Sequence, residues 1–425
     1  MTSSRSARWV VALFVLVVLL QRIAVPGLPV AIILPVALAW AALALTRGVL
    51  EIDPRRSVLW CLGMGAAGLT VIPQLMLDRA PIISVTSWAL VAMTWSPFVF
   101  RLVDRSADSF LACLRGIALT GGVLATMCVV FILVQLAGIR YTDLVAMALP
   151  RQLVLQSFNT TYPVIYGSPI YRANAWIGLE PSFTSLILGV SALAAILSSA
   201  RRRLVLLILV GMTSTASGSG FAVLAAGIAI MTLGRQRRLL RPYLVPAVIV
   251  LLVAQSTPYG RDMFGRLTEV SNSRSSSALR ATQPYLELIP TWLADPWSVL
   301  VGRGAGSSQQ LASSTGIFGL LVPSPIKVFV DYGLIAGTLL LLFLALCYLD
   351  GPSAVLAGAL ALSLWILQPG ITVALIIYLV LVTVALWAPA PSRPGGSTDI
   401  GPEGEGRTRR ATGRPGLHPS FREGA

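Results

Sequence analysis

The sequence predicts an all-α, polytopic integral membrane protein with about twelve transmembrane helices and two larger loops on one face. Of the 425 residues, 56% are hydrophobic and only 12% are charged, whereas soluble domains carry about 25% charged residues. The apolar residues form runs near the length of about 20 residues that a helix needs to cross a bilayer. The net charge of +15 comes from basic residues between these runs, so membrane topology explains it and no nucleic-acid partner is expected.

The apolar runs are the candidate spans. The first follows Arg5 and Arg8, as in a signal peptide, but no small-residue cleavage site comes after it, which predicts a retained helix. The runs at 204–216 and 353–367 are short, so they form tight hairpins or enter only part of the bilayer. The candidates are roughly 9–21, 24–45, 57–77, 81–100, 116–138, 181–199, 204–216, 219–233, 242–256, 325–349, 353–367 and 371–388.

Arginines divide the connections between the spans into two classes. With the N-terminus inside, every short connection on the cytoplasmic side is basic, and the short connections opposite carry only Arg22 and Arg79. This positive-inside pattern places both termini in the cytoplasm. The larger outer loops then lie at about 139–180 and 257–324, because long loops cross regardless of their charge.

The C-terminal tail differs in composition from the rest of the chain. Residues 1–388 are expected to form one membrane domain, whereas proline, glycine, serine and arginine replace aliphatic residues in 389–425. Such a segment cannot bury a core, so it is predicted to be a disordered cytoplasmic tail that contacts anionic lipid.

Neither a metal nor a cofactor is expected. The only histidine, His418, lies in the tail, which removes histidine chemistry from the membrane domain. The cysteines Cys61, Cys113, Cys128 and Cys347 lie apart from one another, in or beside apolar runs. They are interpreted as packing residues.

Arginines in the two outer loops are candidates for binding an anionic ligand. Singly, each is more simply a solvated loop charge, but as a group they lie beside apolar and aromatic residues. A guanidinium pairs with phosphate through a fixed, bidentate geometry, so the group favours a phosphate-bearing ligand. The outer-loop arginines are Arg140, Arg151, Arg172, Arg261, Arg266, Arg274, Arg280 and Arg303.

The most informative stretch is residues 171–182, which puts an arginine and a carboxylate at the mouth of an apolar run. Arg172 lies eight residues ahead of Glu180, which is followed by Pro181 and Ser182. The local pattern predicts a helix start, since proline suits the first turn and an acid or serine caps the free amides. It is also compatible with a site in which Glu180 accepts a proton beside an anion held by Arg172.

Three further stretches have local patterns of their own, and the first of them interrupts an apolar run. Residues 214–220 are serine, threonine, alanine and glycine, which predicts a tight turn between helices or, alternatively, the lining of a polar cavity. Residues 285–293 form an apolar pattern typical of an amphipathic helix on the outer membrane surface. The glycines of residues 302–306 then predict a turn, and they lack the strand–turn–helix context of a nucleotide loop.

The order of these motifs resembles the O-antigen polymerase and O-antigen ligase superfamily, over roughly residues 165–345. The N-terminal third is similar only as a set of hydrophobic helices. The residues that carry the resemblance are Arg172, Glu180-Pro181-Ser182, the hairpin at 214–220, Arg280, Gly302 and Gly304, and Asp331-Tyr332-Gly333-Leu334-Ile335.

The resemblance implies a glycosyltransferase of the inner (cytoplasmic) membrane that depends on a lipid carrier and needs neither a metal nor a cofactor. Such polymerases move a growing glycan from one undecaprenyl pyrophosphate carrier onto another repeat unit, and so build a surface polysaccharide of the cell envelope. The implied partners are the lipid-linked donor and acceptor, membrane lipids, a flippase and a chain-length regulator.

The resemblance also implies roles for particular residues. Arg172 and Arg280 correspond to outer-face arginines that bind the pyrophosphate, and positioned cations stabilise a leaving pyrophosphate without a metal. Glu180 is the candidate for activating the acceptor hydroxyl, so these three residues are the expected catalytic group. The expected substrate-binding residues are Tyr171, Ser182, Ser217, Ser219, Arg303 and Lys327.

Other functions stay open at this point. The ligase branch carries a histidine just before the helix that begins near Ile326, whereas this chain has Val322-Pro323-Ser324-Pro325, which favours a polymerase. A flippase for lipid-linked oligosaccharide is expected to carry charges deep within several helices. A transferase with a lipid-phosphate monosaccharide donor is expected to carry an acidic pair in its first outer loop. A structural scaffold leaves the outer arginines unexplained.

Overall fold

The computed structural model of the protein is mostly helical, as predicted. It describes residues 5–76, 84–155, 158, 160–164, 168–256, 278–317, 319–366 and 371–388, and these all belong to one compact unit. The predicted tail at 389–425 and residues 257–277 of the second loop lie outside the described residues.

Eighteen α-helices are described, and they are numbered here in chain order. The helices are α1 (Arg5–Leu20), α2 (Ile33–Thr46), α3 (Pro54–Leu69), α4 (Val71–Met76), α5 (Val85–Trp95), α6 (Ala107–Leu136), α7 (Leu144–Ala148), α8 (Pro181–Leu197), α9 (Arg202–Ser214), α10 (Gly218–Leu233), α11 (Arg241–Ser256), α12 (Ala278–Ala281), α13 (Gln283–Leu293), α14 (Pro296–Val301), α15 (Ser307–Ser314), α16 (Ser324–Leu349), α17 (Ala354–Leu360) and α18 (Ala374–Thr383). Short 3-10 segments and one π-helical turn, Ala361–Ile366, extend or join them.

Every apolar run that was predicted to be a span contains a helix. Among the described residues, two helices, α6 and α16, are long and apolar enough to cross a membrane, judged by length and composition. Several others are apolar but shorter, for example Pro181–Leu197 and Gly218–Leu233. The helical class is therefore confirmed, and the count of twelve spans stays a prediction.

A short β-ribbon, which the sequence did not predict, joins two connections between helices. Strand β1 (Leu50–Ile52) pairs antiparallel with β2 (Phe100–Leu102), with Glu51 opposite Arg101. The Arg101 Nε atom lies 2.8 Å from Glu51 Oε1, so opposite charges add to the ladder. Each strand has only three residues, too few for alternation to be visible in the sequence.

The centre of the fold is α8, a helix that is apolar on all sides. Every residue from 183 to 196 is buried, as expected when other elements surround a helix. Small residues let α10 approach it closely, because a Cβ atom on Gly189 would lie 2.5 Å from the Gly220 carbonyl oxygen. This packing fixes the start of α8, where residues 171–182 enter it.

The helix α16 is broken near its start. Gly333 has φ 69° and ψ −176°, which no helix accommodates, so the helix has two parts on either side of it. The N-terminal part packs on a second, smaller core that includes Leu288 and Trp292 of α13 and Val330 of α16 itself. This second core positions the turn at residues 302–306.

Candidate functional site

The lead segment, defined as residues 171–182, is held by backbone hydrogen bonds along its first residues. Gln135 of α6 bonds both backbone groups of Tyr171: its Oε1 accepts from the amide at 2.7 Å and its Nε2 donates to the carbonyl at 3.1 Å. The Arg172 amide donates to the Tyr162 carbonyl (2.9 Å), and the Ala173 amide donates to the Ser214 carbonyl (3.0 Å). The start of the segment is thus fixed to three separate parts of the chain.

Two consecutive residues of the lead segment have left-handed backbone conformations. Ala175 has φ 56° and Trp176 has φ 59°, and neither is glycine. Such residues cost about 1–3 kcal/mol each and persist only where their surroundings impose them. Here Asn174, fully buried, accepts from the Trp176 amide through its side chain (3.0 Å) and from the Gly178 amide through its carbonyl (2.8 Å).

Aromatic side chains pack around the same segment. The ring of Tyr141 lies 5.6 Å from that of Tyr171 and 5.1 Å from that of Phe131, and the Phe131 and Trp176 rings are 5.0 Å apart. Burial raises the pKa of Tyr141, so its hydroxyl stays protonated at neutral pH. Tyr171 therefore takes part in a half-buried aromatic group beside the predicted catalytic residues.

Arg172 is half-buried at the start of the lead segment. Its Nε donates to the Pro163 carbonyl at 3.2 Å, and its guanidinium carbon lies 5.6 Å from the centre of the Tyr162 ring. A cation over an aromatic face gains about 0.5–2 kcal/mol. These contacts fix the guanidinium in place.

Glu180 begins α8 but does not cap it through its side chain. It occupies the N-cap position in an extended conformation, and its side chain makes no hydrogen bond to the first-turn amides. Its Oε2 instead accepts from the Ser182 hydroxyl at 3.1 Å. The helix start rests on Pro181 in the first turn and on the Thr184 amide, which donates to the Glu180 carbonyl at 3.1 Å. The prediction that the Glu180 carboxylate caps the first-turn amides of α8 is therefore wrong.

The predicted turn at 214–220 joins α9 to α10 beside α8. Ser185 of α8 donates through its hydroxyl to the Ser217 carbonyl (3.0 Å) and accepts from the Gly220 amide (3.1 Å). Ser217 and Ser219 are both partly exposed there. The tight-turn interpretation is confirmed, and the turn lies against the same helix that Glu180 begins.

A second group of predicted site residues lies at the glycine turn, defined as residues 302–306. Gly302 has φ 80°, and a Cβ atom on it would lie 2.5 Å from the Asp331 carbonyl oxygen, so no other residue fits. The Arg303 amide donates to the Val330 carbonyl (2.8 Å), while its guanidinium donates to the Thr291 carbonyl of α13 at 3.1 Å. The turn thus packs into the break of α16.

A buried carboxylate holds the glycine turn in place. Asp331 is fully buried, and it accepts from the Ser308 amide at 2.8 Å and from the Gly306 amide at 3.1 Å. The Lys327 Nζ lies 2.8 Å from the same carboxylate, and the Lys327 side chain is 13% exposed. Lys327, predicted to bind substrate, therefore forms an internal ion pair. In the sequence, Asp331 was visible only as part of the motif Asp331-Tyr332-Gly333-Leu334-Ile335.

The structure thus brings the predicted residues into two groups. The first, on the lead segment and the α9–α10 turn, holds Tyr171, Arg172, Glu180, Ser182, Ser217 and Ser219. The second, at the glycine turn and α16, holds Arg303 and Lys327. Arg280 belongs to α12, whose Leu279 packs against the second core and accepts at its carbonyl from the Leu321 amide (3.2 Å). The Arg280 side chain lies outside the described part of the structure.

An ion pair between two residues outside the predicted site, Arg22 and Asp143, lies next to the lead segment. Arg22 donates to both carboxylate oxygens of Asp143, at 2.7 and 2.6 Å, and to the Trp176 carbonyl at 3.0 Å. Burial by itself raises the pKa of Asp143, but the hydrogen bonds from Arg22, Ala146 and Thr160 outweigh it and hold the pKa below its usual range. Arg22, which follows the first apolar run directly, was the one signal that the sequence offered, and its pairing with Asp143 is not visible there.

Comparison with known proteins does not assign this chain to a family. No protein-family model matches this chain, and no curated protein matches it. Within the described ranges, histidine, cysteine, aspartate and glutamate side chains form no group of three or more that could hold a metal ion.

Proposed function

We propose that this chain is a membrane glycosyltransferase that polymerises undecaprenyl-pyrophosphate-linked oligosaccharide repeat units into a surface polysaccharide. The proposal joins the resemblance of its motifs with the geometry of the lead segment. In it the enzyme resides in the cytoplasmic membrane, with both termini inside and the lead segment on the outer face.

Exposed apolar surface supports the membrane location. On α6, Leu119, Val123 and Leu133 are 62%, 64% and 56% exposed, and on α11 Val245 is 68% exposed. Soluble monomers rarely expose contiguous apolar patches larger than a few hundred Å². Lipid chains would cover these helix faces at no cost, since they are as apolar as the side chains.

The helix α13 supports an element at the membrane surface. Leu288 and Trp292 on one side are buried in the second core, whereas Leu286 and Leu293 are 65% and 53% exposed. Glu287 lies between these two sides. A helix with an exposed apolar stripe and a polar one is typical of elements that lie in the membrane interface.

The observation that carries the proposed chemistry is that hydrogen bonds hold the side chains of both Arg172 and Glu180, through the Pro163 carbonyl and the Ser182 hydroxyl. They lie near the two ends of a segment whose intervening backbone is held in a strained conformation. A preorganised cation and carboxylate do not have to be ordered at the moment of reaction, which is the main source of electrostatic catalysis.

In the proposed reaction, the acceptor hydroxyl oxygen attacks the anomeric carbon of the donor glycan. The bond from that carbon to the pyrophosphate oxygen breaks, and Glu180 takes the hydroxyl proton. Arg172 and Arg280 bind the departing pyrophosphate and stabilise its charge. The partly exposed Tyr171, Ser182, Ser217, Ser219 and Arg303 contribute to binding, and Lys327 supports the glycine turn.

The test compares single variants in cells that depend on this chain for polymer. Arg172→Ala and Glu180→Gln are each expected to reduce long-chain glycan by about 100-fold, the scale of losing one positioned charge in a transition state. The matched control is Arg140→Ala, which removes an exposed arginine of the same loop. The measurement is the length distribution of extracted polysaccharide, with the amount of membrane-inserted protein checked for each variant.

Polymer of normal length from both Arg172→Ala and Arg280→Ala would refute the assignment. A loss that is equally large in Arg140→Ala would show a general charge effect instead of a site. Accumulation of single repeat units on the lipid carrier is the expected accompanying result, because their supply is unaffected.

The broken helix α16 favours one second candidate, a transporter for lipid-linked oligosaccharide. Discontinuous helices with buried charges are typical of transporter binding sites, and here Lys327 and Asp331 lie just ahead of the break at Gly333. Movement of repeat units across vesicles that make no polymer, abolished by Asp331→Asn, would establish this function. No movement in such vesicles would leave the polymerase as the better assignment.

A further inference from the structure

A buried ion pair links the connection between α1 and α2 to the loop around α7. Arg22 and Asp143 are separated by 121 residues, yet their guanidinium and carboxylate groups pair through both oxygens at 2.6 and 2.7 Å. The Arg22 side chain is 3% exposed and that of Asp143 is 19% exposed. Fork-to-fork pairing of this kind fixes orientation as well as distance.

The same guanidinium also holds the strained part of the lead segment. Its Nη1 donates to the Trp176 carbonyl at 3.0 Å, and Trp176 is the second of the two residues with positive φ. Gln21, the neighbour of Arg22, accepts from the Leu179 amide at 3.0 Å through its side chain. Two consecutive residues of one connection therefore bind the lead segment between Arg172 and Glu180.

The carboxylate side of the pair is tied to the segment as well. The Thr160 hydroxyl donates to Asp143 at 3.1 Å, and the Thr160 carbonyl accepts from the buried Asn174 side chain at 3.3 Å. On the other side, the Leu155 amide donates to the Arg22 carbonyl at 3.0 Å. The pair is thus the centre of a network that surrounds residues 174–179.

We infer that Arg22 and Asp143 are positioning residues that set the orientation of Arg172 relative to Glu180 by holding residues 174–179 in their strained conformation. Stability alone is a weak reason for such a pair, since well-packed apolar residues often replace a buried ion pair without loss. The bond from Arg22 to the strained residue gives it a second role. The consequence for catalysis rests on the proposed function, whereas the consequence for the segment does not.

The test uses conservative variants of the purified full-length protein. Arg22→Lys keeps the charge but loses the fork geometry, and Asp143→Asn keeps the shape but loses the charge. The matched control is Glu51→Gln, which removes one partner of the Arg101–Glu51 pair on the β-ribbon. Hydrogen exchange of the amides at 176–179 is measured together with the thermal unfolding midpoint and, in membranes, the rate of polymer formation.

In both variants, exchange of these amides is expected to accelerate by about tenfold or more, and by more than any fall in the unfolding midpoint accounts for, whereas Glu51→Gln is expected to leave their exchange unchanged. The maximal rate of polymer formation is expected to fall by about tenfold or more while the apparent KM changes little, because misplaced groups impair the reaction itself. Arg22→Ala combined with Asp143→Ala is expected to lose no more than the worse single variant.

Unchanged exchange at 176–179 in both conservative variants would overturn the inference, whatever the activity. Faster exchange with an undiminished maximal rate would also overturn it, since the segment would then be held without consequence. If the unaltered protein makes no polymer at all, the proposed function fails, but accelerated exchange would still establish the positioning of the segment.

Discussion

The lead segment and the glycine turn each carry an arginine of the predicted site on irregular backbone, Arg172 as a catalytic residue and Arg303 as a substrate-binding one, but they reach that conformation by different means. Gly302 of the glycine turn and Gly333 of α16 both adopt positive φ without strain, and this lets their two stretches of backbone touch. In the lead segment, Ala175 and Trp176 adopt positive φ against their preference, and side chains from distant parts of the chain hold them there. The glycine turn keeps its conformation because glycine favours it. The lead segment keeps its conformation only through contacts with side chains such as that of Arg22.

The largest expected effect on the free energy of unfolding comes from a substitution at the glycine turn. Gly302→Ala would place a methyl group 2.5 Å from the Asp331 carbonyl oxygen at φ 80°, so the free energy of unfolding is expected to fall by about 3 kcal/mol or more. Gly48→Ala is the matched control, because Gly48 has φ 65° but open space around its Cβ position. It is expected to cost only about 1–2 kcal/mol. Denaturant unfolding in detergent measures both, and equal losses would contradict the close-contact explanation.

A smaller effect on stability is expected at low pH, where Asp143, the partner of Arg22 beside the lead segment, becomes protonated. The pKa of Asp143 is lowered in the folded state. Its charged form therefore stabilises the folded protein in full at any pH above the pKa that an aspartate has in the unfolded chain, about 3.9. That contribution is lost as the pH falls through the lowered folded value. The stability difference between the unaltered protein and Asp143→Asn is therefore expected to be constant from about pH 7 to 5 and to shrink below about pH 4.

Thermal unfolding of both proteins across this range measures the difference. A difference that grows on acidification would show that the carboxylate is not favoured in its charged form by Arg22. The protection factors of the amides at 176–179, which are corrected for the intrinsic pH dependence of exchange, are expected to fall over the same interval, since the support of the strained residues weakens.

The smallest effect is expected from relieving strain. Ala175→Gly removes the cost of about 1–2 kcal/mol that a non-glycine residue has in the left-handed conformation. It also loses a buried methyl group and adds backbone freedom to the unfolded chain, and both of these changes destabilise the protein. These contributions nearly cancel, so the unfolding free energy is expected to change by less than about 1 kcal/mol. A loss of several kcal/mol, measured by denaturant unfolding, would mean that the side chain and not the strain matters at this position.

Prediction from sequence succeeded where a pattern is local. The apolar runs predicted helices at each candidate span, and the serine and glycine residues of 214–220 predicted the turn between α9 and α10. It failed at the break of α16, since Gly333 lies in an apolar run and its φ follows from contact with residue 302. It also missed the β-ribbon, whose strands of three residues have no pattern of their own.

The residues of the candidate site also divide into those that the sequence indicated and those that only the structure revealed. Arg172 and Glu180 were singled out because charges at the mouth of an apolar run are visible in the sequence. Arg22 and Asp143 were not, because their importance comes from a pairing across 121 residues that no spacing shows. The capping role expected for Glu180 was wrong because Pro181 and the backbone begin the helix, which leaves the carboxylate to Ser182.

The sequence by itself determined the helical class, the positions of the helices and the residues that lead into α8, because hydrophobic periodicity and charge placement act locally. Only the tertiary structure decided which charges meet, where a helix breaks and which residues are strained. Those features depend on contacts between segments far apart in the chain, and their energies exist only once the helices have packed. The orientation of Arg172 and Glu180 is therefore a property of the fold and of its supports at Arg22 and Asp143.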